Sequence, residues 1–416
     1  METLTVVLLV CMIAVEGWKL YLVWRKWKSF TEYPPEILKP IIKDEDYKGL
    51  RIATFVQCTS MAREIIVKLT LKVLKLSLDY HEFLWDTTLK YAQTDMSRDA
   101  WYIALDIFMT LCIEKPFELV GLLILRPEEH HKIINHLGHM GIEIVTASLL
   151  GGVVARGAVF IASRFGALNL LLPVLVFEFF GLFMLLWATL IVLPWICRPL
   201  AVNSEAEAYV MRLAESVGFP EKKILVDVTE GRPANTFYYG LFGNYILVIN
   251  LEMINKLSPR QTVAQVAHEL GHWNYGHSVT KMAFNLAEIM IFTILTVFVY
   301  IYPVVNEVFG LTYEKSPHPI VRSYLSMYYI WPVMLQMFKG PSNIILAGYE
   351  YQADRWACGN GHGEHLKSGL LIKKVTLMTP EFDNWYSSWF YGVPTVLERV
   401  KRIGICEVEN TPHGDT

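Results

Sequence analysis

Runs of about 20 mostly apolar residues, the length that crosses a bilayer as a helix, recur along this chain of 416 residues. They lie at 4–24, 101–125, 142–161, 168–195, 282–302 and 323–346. A seventh, weaker run at 65–84 interrupts its apolar residues with Lys68, Lys72, Lys75 and Asp79. The three lysines follow at i, i+4 and i+7, so they share one helical face. Two readings stay open for it: an amphipathic helix lying on the bilayer surface, or a span whose polar face meets a water-filled interior. Charged residues also lie in or near the clear spans: Glu16, Lys19, Asp106, Glu114, Lys115, Glu118, Glu143, Arg156, Glu178 and Glu288. Facing lipid is costly for a charge, so most are expected to pair between helices.

Between the fourth and fifth clear runs the pattern changes. Residues 204–216 read as a helix, with Ser204 as its cap and Glu207 three residues on to complete a capping box. Short β-rich stretches at 224–228, 236–240 and 245–249 read as strands, the last two joined by a turn containing Gly243 and Asn244. A further helix is expected from Ser258-Pro259. The plan is therefore 1–195, five spans with a loop at 25–64; 196–281, a small α/β unit; 282–346, two spans; and 347–416, a C-terminal segment.

Only 19% of the residues are charged and 53% are hydrophobic, against about 25% charged in soluble domains. The net charge of -3 suggests no nucleic-acid partner. Six scattered cysteines form no Cys-x-x-Cys pair, so neither a disulfide framework nor a cysteine-based zinc site is expected. The first apolar run is followed, not preceded, by basic residues, and reads as a retained span in place of a cleaved signal. Segment 25–64 holds eight Lys or Arg. By the positive-inside rule it faces the cytosol, and alternation then puts 196–281 and 347–416 there as well.

The helix from Pro259 carries His268-Glu269-Leu270-Gly271-His272. Residues i and i+4 share one face, so His268 and His272 offer two imidazoles to one zinc ion, and Glu269 sits beside them as a base toward an activated water. A catalytic zinc site needs a third protein ligand. His277 lies nine residues after His268, half a turn round a continuing helix, and is expected to face away. A glutamate on another helix is the alternative. Glu350 is the best candidate, because Asp354 shares its face and could fix the tautomer of a ligating histidine; Glu288 and Glu307 compete without such a neighbour.

These motifs resemble the type I CAAX prenyl proteases, the Ste24 group of integral-membrane zinc metallopeptidases. The likeness extends to Glu16–Tyr21, Pro35-Glu36, the Pro199 region, Asn235–Gly240 and Pro394–Arg399. It implies an α-helical polytopic membrane protein of about seven transmembrane helices enclosing a chamber. An α/β metallopeptidase cap would lie on the cytosolic side, most simply at the endoplasmic reticulum membrane. It implies Zn2+ on His268, His272 and Glu350, with Glu269 as general base and Asp354 behind the ligands. Asn235 would help hold the substrate as an added strand. The substrate would be a prenylated protein ending in Cys-a-a-X that loses its last three residues, with a second cut in some precursors; the partners are such proteins and membrane lipid, and the chain is expected to be a monomer. The chain departs from the group at Val393, where the group has a histidine thought to stabilise the transition state. Arg399 is retained, and Tyr391 could donate in its place. The competing readings are a quality-control metalloprotease acting on membrane proteins, and a non-enzymatic scaffold or pseudoprotease, which Val393 alone favours.

Overall fold

The computed structural model describes residues 3–92, 94–125, 133–165, 180, 183, 193–201, 204–229, 236–241, 243–303, 305–311, 319–376 and 381–410. Most of the apolar run at 168–195 lies outside them. In chain order the long helices are α1 (Thr3–Ser29), α2 (Asp44–Ser77), α3 (Tyr80–Thr88), α4 (Asp95–Leu125) and α5 (Ile133–Phe165). Then come β1 (Arg198–Pro199), α6 (Glu205–Val217), β2 (Ile224–Asp227), β3 (Thr236–Leu241) and β4 (Asn244–Asn250). Helices α7 (Leu251–Lys256), α8 (Pro259–Asn274), α9 (His277–Ile301), α10 (Val305–Val308), α11 (Pro319–Gly359), α12 (Gly363–Thr376), α13 (Asn384–Tyr391) and α14 (Val396–Asn410) complete the chain. They divide into two compact units.

One unit comprises Met1–Trp24, Phe55–Glu178 and Glu288–Phe338. Its interior holds buried polar groups beside a hydrophobic cluster. Lys75 is buried and its Nζ donates to Asp106 Oδ1 at 2.7 Å, while Tyr324 donates to the other carboxylate oxygen at 2.7 Å. Buried His81 sits 2.7 Å from the hydroxyls of both Tyr102 and Tyr329. Lys75 therefore does not face outward from a surface helix, whereas Lys68 stays exposed beside Glu64. Of the charges expected to pair between helices, Lys115 of α4 reaches Glu143 of α5 at 2.7 Å, but Glu16 and Lys19 pair within α1. Helices α4 and α5 meet where α5 lacks side chains: a Cβ on Gly152 would stand 3.2 Å from Ala104 Cβ. Small residues of this kind let two helices pack closely where lipid supplies no hydrophobic drive. Among the described residues, three helices are long and apolar enough to cross a membrane: Thr3–Ser29, Ile133–Ile161 and His277–Ile301.

The other unit comprises Arg25–Thr54, Phe179–Ala287 and Lys339–Thr416. Its sheet has the order β1-β2-β4-β3, with β2 parallel to β4 and both outer pairs antiparallel. The two-residue period of a strand sorts β4 cleanly. Leu247 and Ile249 join the main core with Ile224, Val210 of α6 and Ala264 and Ala267 of α8; Ile246 and Val248 join Leu225 and Cys197 in a separate cluster. Strand β3 is an outer strand of this sheet. Ser204 caps α6 through the Glu207 N–H, but the Glu207 carboxylate is engaged by Arg198, so the expected reciprocal box gives way to an ion pair. The 25–54 segment contributes Phe30, Leu38, Ile42 and Tyr47 to the main core. Lys26, 1% exposed, pairs with Glu381 at 2.7 Å, and Arg25 with Asp383 at 2.9 Å. Two of the basic residues that counted toward topology are thus structural anchors.

Candidate metal centre

Helix α8 starts where its sequence dictates. Ser258 Oγ accepts the Gln261 N–H, the Gln261 side chain accepts the Ser258 N–H, and Pro259 occupies the first turn. One face then runs through Val263, Ala264, Val266, Ala267 and Leu270 into the core. This packing fixes the rotation of the helix and aims His268 and His272 at α11. Gly271 lets α11 approach: a Cβ there would lie 3.0 Å from both Cα and O of Ala353. The close crossing brings Glu350, one turn before Asp354, up to the two histidines.

Nε2 of His268 and Nε2 of His272 are 3.2 Å apart. Glu350 Oε2 lies 3.4 Å from the first and Oε1 3.4 Å from the second. All three residues are buried. Bonds of about 2.0–2.1 Å from a tetrahedral cation give ligand–ligand edges of about 3.3–3.4 Å. The nitrogen–nitrogen edge and the approach of one carboxylate oxygen to each histidine are near that length, and one donor atom from each residue lies within 4.8 Å of the others. Two nitrogens and one carboxylate are also the donor set of catalytic zinc sites with one open position. Among the described residues this is the one cluster of three or more such donors that could hold a metal. Glu288 and Glu307 are not in it.

Behind the ligands stands a charged brace. His268 Nδ1 lies 2.9 Å from Asp354 Oδ1. Arg399 of α14 donates to Asp354 through Nε at 2.8 Å and Nη2 at 2.6 Å, and its Nη1 is 3.3 Å from Glu350. Burial opposes every charge here, and the pairing overcomes it. His268, His272 and Arg399 hold the Glu350 carboxyl well below the ordinary carboxylate range, and Arg399 and His268 lower that of Asp354. Against burial and the nearby guanidinium, Asp354 and Glu350 raise His268 to about 9. A divalent cation on Nε2 competes with that proton, as metal binding to histidine always must.

Glu269 is partly exposed, and its Oε2 accepts the Tyr238 N–H of β3 at 3.1 Å. The would-be base is thereby tied to the outer strand of the sheet. Asn235, expected on the same strand's approach, lies outside the described residues. Tyr391 ends α13, is 53% exposed and makes an edge contact with Tyr386; it has no hydrogen bond to the metal-binding cluster. Val393 offers its carbonyl to Ser387 Oγ at 2.7 Å.

His277 departs from expectation. It does not turn away: its Nδ1 is 2.8 Å from Nδ1 of His272. The reasoning from a continuing helix fails because α8 stops at Asn274. Gly276, at φ 66°, reverses the chain, and α9 starts afresh at His277. A left-handed residue is where glycine is favoured, and that glycine was the available signal.

Two histidines one turn apart, a glutamate from a second helix and an acid beside the first histidine define a metallopeptidase. Residues 201–405 match the profile described as Peptidase family M48. It is 23% identical over 404 residues to the "CAAX prenyl protease 1 homolog" of Dictyostelium discoideum, covering 90% of each chain. It is 25% identical over 414 residues to the "Probable CAAX prenyl protease 1" of Schizosaccharomyces pombe, covering 93% of this chain and 85% of the relative. The fold is shared with the crystal structure of S. mikatae Ste24p, with a TM-score of 0.64 at 20% identity over 97% of this chain and 99% of that one. With its long apolar helices, the protein is an integral membrane metallopeptidase of this fold.

Proposed function

We propose that the protein is a zinc endopeptidase that removes the C-terminal aaX tripeptide from prenylated Cys-a-a-X proteins. The observation that carries the reading is the buried triangle of His268, His272 and Glu350 in a chain whose relatives over about nine-tenths of its length bear the name CAAX prenyl protease. His268, His272 and Glu350 would hold zinc, which when bound acidifies water and polarises a carbonyl. Glu269 takes the proton of the attacking water and delivers it to the leaving amine. Its bond to the Tyr238 N–H orients the carboxylate and ties it to the strand beside which the substrate backbone would add. Asn235 would hold that backbone. Asp354 fixes the His268 ring, and Arg399, with both sides of its guanidinium on Asp354 and Glu350, keeps the brace charged and in place. Tyr391, partly free in solvent, is the candidate donor for the position that Val393 leaves without one.

In the same reading seven spans surround a chamber in the endoplasmic reticulum membrane and the metal centre faces the cytosol. The chain acts as a monomer among lipids, and a second cut in a prenylated precursor belongs to the same chemistry. The test is cleavage of a farnesylated Cys-a-a-X peptide by the purified protein, with and without a chelator. Release of the tripeptide that stops with the chelator and returns with Zn2+ is expected. Cleavage of unprenylated, unfolded membrane proteins with no action on the farnesylated peptide would favour a quality-control protease, and no cleavage of either would favour a scaffold.

A further inference from the structure

The two histidines of the triangle have different partners behind them. His268 has the Asp354 carboxylate; His272 has another imidazole. Nε2 of His272 points at His268 and Glu350, so Nε2 is the nitrogen that faces a cation. A neutral imidazole that ligates through one nitrogen carries its proton on the other, which places an N–H on Nδ1 of His272. That N–H has an Nδ1 of His277 at 2.8 Å. Two N–H groups cannot face each other at this distance, so His277 Nδ1 must be the acceptor and its proton must sit on Nε2. Nε2 in turn lies 3.1 Å from Gln352 Oε1, a carbonyl oxygen that only accepts. One assignment of protons satisfies all three groups, running from Gln352 through His277 to His272. The His277 ring is 3% exposed and lies flat on Tyr349, 4.3 Å between centroids and 6° between planes. Tyr349 and Gln352 flank Glu350 on α11, so one turn of helix supplies the third ligand, the clamp on the His277 ring and its hydrogen-bond acceptor.

We propose that His277 is a positioning residue of the metal site. It is the acceptor that holds the His272 ring and its tautomer for metal binding, and Gln352 fixes the tautomer of His277 itself. The inference rests on the reading of His268, His272 and Glu350 as metal ligands. It adds no charge to the site, in contrast to the Asp354 brace on the other ligand. Groups that orient a ligating histidine in this way contribute about 10- to 100-fold in metal affinity.

The experiment is the affinity of the full-length protein for Zn2+, by competition with a chromogenic chelator, alongside thermal unfolding of the metal-free forms. His277→Phe keeps a flat ring on Tyr349 and removes the acceptor. His277→Asn keeps an acceptor near the Nδ1 position and removes the ring. The proposal predicts about a 10- to 100-fold loss for His277→Phe and a loss within about threefold for His277→Asn. Unchanged affinity in His277→Phe, or a loss in His277→Asn as large as in His277→Phe, would overturn it and leave His277 a packing residue. If His277→Phe does not fold, Gln352→Leu decides: it leaves the ring stack intact, and a loss of about threefold to tenfold supports the relay while no loss overturns it. His272→Ala serves as the control for the underlying reading. Zinc bound as tightly by His272→Ala as by the unaltered protein would overturn the metal assignment and this inference with it, whereas normal loss in that control with unaltered binding in His277→Phe overturns this inference alone.

Discussion

Substituting Gly271 by alanine adds one methyl group at the crossing that sets the metal triangle. The new Cβ would lie 3.0 Å from Cα and O of Ala353 and 3.3 Å from its Cβ. Carbon atoms rest at about 3.5–4.0 Å, so α8 and α11 must part by about half an ångström or more. Glu350 rides on α11 within a turn of Ala353, and metal sites hold their ligand distances to within about 0.2 Å. Overpacking of this kind costs about 1–3 kcal/mol. Without metal the helices relax apart and relieve much of it. Binding a cation draws Glu350 back to His268 and His272 and restores the strain, so most of the cost falls on the bound form. The expected result is zinc affinity lower by about 5- to 150-fold, the equivalent of that energy, with a smaller change in the unfolding temperature of the metal-free protein. Chelator competition and thermal unfolding measure the two separately. Affinity within twofold of the unaltered protein would show that the Gly271–Ala353 approach does not set the ligand spacing.

The other predictions follow from the same geometry. Glu269→Gln should keep bound zinc and lower cleavage by about 10²- to 10⁴-fold, as read by metal analysis beside peptide turnover; normal turnover would remove Glu269 from its role. Glu350→Ala should lose most of the metal, and full occupancy would move the third ligand elsewhere. Val393→His should raise turnover if the missing donor limits the rate, since one such donor is worth about 10²- to 10³-fold; no change would mean another group already serves. Raised to about 9, His268 must lose a proton to bind metal, so apparent zinc affinity should climb about tenfold per unit as pH rises toward 9. The metal-free protein should run the other way, because a raised histidine lends stability that is full below its unfolded value of about 6.5 and is lost as pH rises through 9. Unfolding scans of the two forms across pH 6 to 10 test both signs.

Local chemistry made much of the site legible. Ser258-Pro259 begins α8 because a side-chain cap and a residue without an N–H both suit a first turn, and the i, i+4 spacing of His268 with His272 and of Glu350 with Asp354 holds on any straight helix. The strands expected at 224–228, 236–240 and 245–249 were readable from their β-branched and aromatic residues; their order was not, since β2 pairs in parallel with β4 past the intervening β3. His277 was misplaced because one left-handed glycine reset the helical phase. The clamp of Arg399 on Asp354 joins residues 45 apart in sequence, and no periodicity links them. Lys26 and Lys75 looked like charges for water or a lipid surface, but each is buried against an acid, Glu381 and Asp106, contributed by another segment. Such pairs become visible only when the chain is folded.

The most direct measurement is anomalous diffraction at the zinc edge from crystals of the metal-loaded protein. The account predicts a peak about 2.0–2.2 Å from Nε2 of His268, Nε2 of His272 and a carboxylate oxygen of Glu350. A peak at any other group of side chains, or none in an active preparation, would contradict it.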